Sequence, residues 1–113
     1  MHELAIAGEI KDIVLAKLKE HKLSKVTGIK LVFGEMTSVV PEAIRFAFAS
    51  ISEKTPMSGA KIRIKMIRSK ALCNSCGKNF RIKDLAYICP ECSSADIKIT
   101  AGREMIVQTI DME

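Results

Sequence analysis

Cys73-Asn-Ser-Cys76-Gly77 and Cys89-Pro-Glu-Cys92 are two Cys-x2-Cys pairs separated by 12 residues, close to the spacing of zinc ribbons. Two residues between thiols let one tight turn aim both sulfurs at a single ion, and two such turns complete a tetrahedron. Gly77 suits the positive φ that turns backbone N–H groups toward the sulfurs. Four protein ligands leave no position for water or substrate, so this spacing predicts a structural Zn(II) that supports folding rather than Lewis-acid catalysis. Disulfides fit poorly with a reducing compartment, and thiolates also accept iron, which similar knuckles hold in redox proteins. The scarcity of aromatics, 4% of the chain, argues against a buried iron centre. A redox Cys-x-x-Cys is disfavoured because both pairs occur together and neither follows a strand-to-helix turn. Lys70, Lys78, Arg81 and Lys83 are the cations placed to offset the negative charge of a zinc–tetrathiolate.

A second donor set lies at Met1-His2-Glu3. The Met1 amine, the His2 backbone nitrogen and the His2 Nδ1 can close a five-membered and a six-membered ring on one ion. The Glu3 backbone nitrogen, or a ligand from elsewhere, would complete a planar nitrogen set that suits Ni(II) or Cu(II) rather than zinc. A large second residue favours retention of Met1. Taken alone, however, His2 reads first as the start of a frayed end, and Glu3 reads equally well as a first-turn helix residue or as a partner that orients His2. His21 is expected near a helix C-terminus, where its cationic form suits the dipole.

The elements that must position these groups follow from hydrophobic periodicity. Ile6, Ile10, Ile13, Val14 and Leu18 mark one face of a helix between Glu3 and Lys22. Lys25 to Phe33 switches to period two, with Ile29, Leu31 and Phe33 on one side of a strand. Pro41 suits a first helical turn, and Ile44, Ala47, Phe48 and Ile51 continue at helical spacing until Pro56 and Gly59. Ala60, Ile62, Ile64 and Met66 then alternate with Lys61, Arg63 and Lys65, a strand whose polar face is basic. After the cysteines, Arg103 to Met112 is rich in β-branched residues and favours a last strand. The expected fold is therefore α+β: a small mixed three-stranded sheet with two amphipathic helices, plus an inserted zinc-ribbon-like lobe. In this reading, residues 1–69 and 100–113 form the larger α/β domain, which starts with the Met1-His2-Glu3 donors, and 70–99 the zinc-binding domain. The helix between the first two strands allows a parallel crossover, and two chain crossings join the lobes.

Composition bounds the function classes. The 113 residues are 48% hydrophobic, yet no apolar run approaches the roughly 20 residues of a membrane span. The first twenty residues carry seven charged groups, unlike a secretory leader, so the expected location is cytoplasmic. Four thiolates and one divalent ion lower the formal charge of +5 to about +3, a weak argument for nucleic acid. The rival reading is a zinc-ribbon nucleic-acid-binding module, resting on Lys61, Arg63, Lys65, Arg81 and Lys83. Only Phe80 and Tyr87 could stack on bases in that lobe, so nucleic acid is not the expected partner. No nucleophile and base pair, open metal site or phosphate loop points to an enzyme.

Met1-His2-Glu3-Leu4, Gly34-Glu35, Cys73-x2-Cys76-Gly77, Cys89-Pro90-x-Cys92 and Gly102-x-Glu104 together resemble the HypA family of hydrogenase nickel-incorporation proteins, over nearly the whole chain. The resemblance implies that His2 and the Met1, His2 and Glu3 backbone nitrogens carry nickel while the four cysteines carry zinc. It further implies a metallochaperone whose transient cargo is Ni(II) and whose partners are the HypB GTPase and the large-subunit precursor of a nickel–iron (NiFe) hydrogenase. A second copy of the chain is admitted as a partner. Some relatives in this family also serve urease. The cysteine lobe here lacks the histidine that some archaeal relatives add to the nickel site.

Overall fold

The structure, a computed structural model, describes residues 3–83 and 86–113. Helix α1 (Glu3–Glu20) buries Ile6, Ala7, Ile10, Val14 and Leu18. Ala7 rather than Ile13 completes the buried face, and Ile13 sits half exposed on the flank that borders the last strand. Beyond Glu20, the Leu23 N–H donates to the Leu18 carbonyl and Lys22 adopts a left-handed φ of 55°, which ends the helix in the manner of a C-terminal cap. His21 stands in this terminal turn.

Strand β1 (Val26–Gly34) is followed by a short 3-10 turn and by helix α2 (Pro41–Ser52), with proline in its first turn. Pro41 needs no amide partner there, and its fixed φ prepares the helix. Ile44, Ala47 and Phe48 are buried and Ile51 partly so, as the helical spacing predicts. Strand β2 (Lys61–Ile67) returns parallel to β1, so α2 is the crossover.

The chain then enters the cysteine lobe through β3 (Lys70–Cys73), β4 (Asn79–Arg81) and β5 (Ile97–Ala101), an antiparallel sheet of order β4-β3-β5. It re-enters the larger body as β6 (Met105–Met112), antiparallel to β1, to give the order β2-β1-β6. The mixed three-stranded sheet, the two helices and the separate cysteine lobe match the expected α+β architecture. The small sheet within the lobe was not expected, because β3, β4 and β5 are too short to show a period.

Ile29, Leu31 and Phe33 of the central strand are fully buried beneath both helices, joined by Val14, Ile44, Phe48 and Met57. Removing Phe33 or Phe48 from water contributes roughly 1.5–3 kcal/mol each. The molecule measures 55 × 25 × 17 Å, so its two lobes lie along one long axis and meet at a waist.

Gly34, Ser69 and Gly102 make that waist. The Gly34 N–H donates to the Glu104 carbonyl at 2.7 Å and the Met36 N–H to the Gly102 carbonyl at 2.8 Å. Glu35 accepts from the buried Ser69 N–H at 3.1 Å and faces Arg81 of the cysteine lobe at 3.8 Å. The Glu104 carboxylate accepts from the Gly102 N–H at 2.8 Å. Gly34 has an ordinary extended backbone with φ −78°, so its constraint is steric: a Cβ there would lie 2.0 Å from the Gly102 carbonyl oxygen. Gly102 carries both constraints, with φ +118° and a Cβ position 2.9 Å from Ser69 Cα.

Backbone cannot yield as a flexible side chain does, so Gly34→Ala should cost more than about 3 kcal/mol in chemical denaturation. Gly8→Ala, where a Cβ meets nothing within 4 Å, should be neutral or stabilising by up to about 1 kcal/mol. Equal stability of the two variants would contradict the packing described at the waist.

Candidate metal centre

The two Cys-x2-Cys turns fold alike. In the first, the Cys73 N–H donates to the Lys78 carbonyl and the Gly77 N–H to the Cys73 carbonyl, both at 2.9 Å. In the second, the Cys89 N–H donates to the Ser94 carbonyl and the Ser93 N–H to the Cys89 carbonyl, again at 2.9 Å. Gly77 has φ +77° and Ser93, at the equivalent position, has φ +60°. Gly77 was legible as the left-handed residue, whereas Ser93 was not, since serine gives no such signal. Its position directly after the second cysteine of a pair was the available clue.

These turns bring the four sulfurs within 4.8 Å of one another. Cys73 and Cys92 Sγ are 3.5 Å apart, and Cys76 and Cys89 Sγ 3.6 Å. A tetrahedron with metal–sulfur bonds of about 2.3 Å requires sulfurs about 3.8 Å apart, so the cage already has nearly the dimensions of a tetrathiolate site. No disulfide forms among the four. Cys73 and Cys89 are buried, while Cys76 and Cys92 are exposed. The set therefore has an inner and an outer thiol from each turn.

Side chains lash the turns together. Ser75 and Ser94 hydroxyls lie 2.9 Å apart, and the Asn74 amide donates to the Asp96 carboxylate at 3.1 Å while its backbone N–H donates to the Asp96 carbonyl at 2.9 Å. Lys78 meets Glu91 at 2.6 Å, and that contact, followed by the charges of Cys89 and Cys76, raises its pKa. Of the four cations expected to offset the sulfurs, Lys78 is placed to do so, whereas Arg81 turns toward Glu35 at the waist.

Backbone amides pull on all four thiols, and hydrogen bonding between the sulfurs divides them into two kinds. The Cys76 N–H, 3.4 Å from the Cys73 sulfur, pulls that thiol down to about 6 against the opposing effect of burial. The Cys92 N–H likewise lowers Cys89. At Cys76 the Lys78 N–H acts in the same sense, but hydrogen bonding with Cys89, burial and the contact with Cys73 outweigh it and push the thiol up to about 12. Cys92 is also raised, by Cys73 and burial against the pull of the Ser94 N–H. Without a cation, four crowded sulfurs retain shared protons that a metal must displace.

Glu3, the one residue of the expected nickel set among the described residues, occupies the first turn of α1 and is partly exposed. Met1 and His2 lie outside the described residues. Among the described residues, the cysteine quartet is the convergent group of potential metal ligands. No described helix is long and apolar enough to cross a membrane.

Comparison with known proteins places these features in context. Residues 1–112 match the family model described as "Hydrogenase/urease nickel incorporation, metallochaperone, hypA". The chain is 34% identical over 113 residues to the hydrogenase maturation factor HypA of Desulfitobacterium hafniense (strain DSM 10664 / DCB-2), covering 100% of this chain and 99% of that one. Against the corresponding factor of Chlorobaculum parvum the identity is 35%, with full coverage of both. The solution structure of the Ni metallochaperone HypA from Helicobacter pylori shares the fold, with a TM-score of 0.69 at 23% identity over 99% of this chain and 97% of that one.

Two measurements probe the turns. Gly77→Ala should cost about 1 kcal/mol and Ser93→Gly should gain up to about 1 kcal/mol in the metal-loaded lobe, because each changes the penalty of a left-handed residue. An unchanged or lowered stability of Ser93→Gly would contradict the equivalence. Protons compete with metal, so zinc affinity should fall as pH falls. With Cys76 pushed up to about 12 and Cys92 raised, both still carry protons at neutral pH. Chelator competition near pH 7.5 should then show log affinity rising by about two to three per pH unit, and a pH-independent affinity would refute this protonation pattern.

Proposed function

The chain belongs to the HypA family, and on that premise we propose that it is a cytoplasmic nickel metallochaperone that carries Ni(II) at Met1-His2-Glu3 and delivers it for nickel–iron hydrogenase maturation. Cys73, Cys76, Cys89 and Cys92 hold a structural Zn(II). The family supports the coarse role through a match spanning residues 1–112. The observation that carries the finer division of labour is the cysteine cage, whose four sulfurs lie within 4.8 Å of one another.

A cage of that size made of four thiols is complete once one ion enters, and its soft, tetrahedral donors favour zinc. Such a site keeps its ion. A carrier must instead give its ion up, which calls for a separate, accessible donor set that a partner can dismantle one ligand at a time. The Met1 amine, the backbone nitrogens of His2 and Glu3 and the His2 Nδ1 supply planar nitrogen donors of the kind Ni(II) prefers. Removing one planar donor would release the ion. Glu3 opens α1, so the proposed cargo site adjoins the larger body.

In this reading the HypB GTPase and the hydrogenase large-subunit precursor are the supplier and receiver. The protein performs no bond chemistry of its own. Its contribution is selection by donor type and geometry, followed by ligand exchange.

Nickel calorimetry on chains with and without one extra residue before Met1 tests the proposal. The extension should abolish high-affinity nickel binding while zinc content and circular dichroism stay the same. His2→Ala should weaken nickel by more than about 100-fold, the upper end of what even a supporting group costs a metal site. Unchanged nickel affinity in the extended chain would overturn the terminal chelate.

A further inference from the structure

Both helices pack over the face of the β2-β1-β6 sheet that carries Ile29, Leu31 and Phe33, whereas on the opposite face Lys61, Arg63, Lys65, Thr109 and Asp111 are exposed, Lys30 is half-buried and Val32 is buried. On that opposite face, pairing of the strands sets Lys61 beside Gly28, Arg63 beside Lys30 and Lys65 beside Val32. Lys61, Arg63 and Lys65 also follow one another along one side of β2, and all three are exposed. Like charges in such cross-strand and same-face positions destabilise a sheet. On the β6 side, Thr109 faces Lys30 and Asp111 faces Gly28.

Asp111 is the one carboxylate in this group. It reaches over Gly28, where a Cβ would lie 3.1 Å from Asp111 Oδ2, and pairs with Arg63 at 3.2 Å. Among the described residues, Lys30, Lys61 and Lys65 have no ion pair. An acidic residue in place of Thr109 would relieve Lys30 directly, yet the position is neutral. Exposed cations on β2, an edge strand, also deter edge-to-edge pairing. That role does not extend to Lys30 of the central strand, whose place beside Arg63 adds a like charge to the same face and points to a partner that offsets it.

We propose that this sheet face is the docking surface for an acidic protein partner, whose carboxylates pair with Lys30, Lys61 and Lys65 around the Arg63–Asp111 bridge. Charge complementarity selects the sign of the partner. The remaining side chains select its class. The half-exposed Ile106, paired with the buried Val32, adds an aliphatic contact suited to a protein surface. No aromatic side chain stands on this face to stack on bases, and Asp111 would repel a phosphate backbone. A second copy of this chain is a poor complement: its formal charge is +5, and its described carboxylates are dispersed over α1, α2 and the waist or tied to cations, as Glu91 is to Lys78. The proposal is independent of where nickel binds.

Titration of the zinc-loaded native chain with decaglutamate, followed amide by amide by NMR, tests it. Chemical-shift changes should concentrate on Gly28–Val32 and Lys61–Lys65. The double variant Lys61→Gln with Lys65→Gln should bind about tenfold more weakly, whereas Lys19→Gln with Lys98→Gln, an equal change in net charge elsewhere, should lose no more than about twofold. The first pair should also raise the thermal midpoint, as removal of like charges requires. Shifts scattered over all surface lysines, equal losses in both double variants, or tighter binding of a short DNA duplex than of decaglutamate would each overturn the proposal.

Discussion

Four thiols held within 4.8 Å of one another are the constraint on which this molecule is built. Gathering them leaves shared protons and crowded sulfur, a state that a divalent ion relieves by replacing the protons with one central charge. The lobe has little else to hold it. Among the described residues its buried hydrophobic side chains are Ala71, Cys73, Ile82 and Cys89, so two of these four are themselves members of the cage. A segment of that size cannot bury enough surface to fold on hydrophobic burial alone, and a metal bound by the four thiols would take the place of the missing core. The twin turns, with left-handed backbone at Gly77 and Ser93, are the local geometry that the cage demands.

The cage acts on the rest of the chain through the waist. Two crossings enter and leave the lobe there, and backbone packs on backbone at Gly34, Ser69 and Gly102. Glu35 spans the two lobes, with one carboxylate oxygen on the Ser69 N–H and the other toward Arg81. Short backbone hydrogen bonds and a glycine-only approach make a stiff joint rather than a loose tether. The order of β4-β3-β5 is thereby coupled to the end of the central strand of the larger sheet.

Much of this was legible in the residues, and the reasons differ by element. Helical spacing in α2 and strict alternation in β2 give unambiguous periods, and β6 announces itself by β-branched residues. The quartet Cys73, Cys76, Cys89 and Cys92 was legible because metal-ligand spacing is a local property of tight turns. The strands of the small lobe were not, because three to five residues carry no readable period. Ile13 was expected inside and lies half exposed, since the buried arc of α1 is centred nearer Ala7 and Val14. Gly34-Glu35 and Gly102-x-Glu104 served as marks of resemblance, but their physical role at the waist depends on contacts between residues nearly seventy positions apart, which no local pattern reports. Met1 and His2 lie outside the described residues, so the nickel donors rest on donor chemistry and on family membership.

The central claim is a separation of metals by donor type: sulfur for the ion that stays, nitrogen for the ion that leaves. X-ray absorption at both metal edges of a sample loaded with one equivalent each of zinc and nickel addresses it most directly. The account predicts four sulfur scatterers at about 2.3 Å around zinc and a nickel shell of light nitrogen or oxygen scatterers alone. Sulfur in the nickel shell, or zinc surrounded by nitrogen, would contradict it.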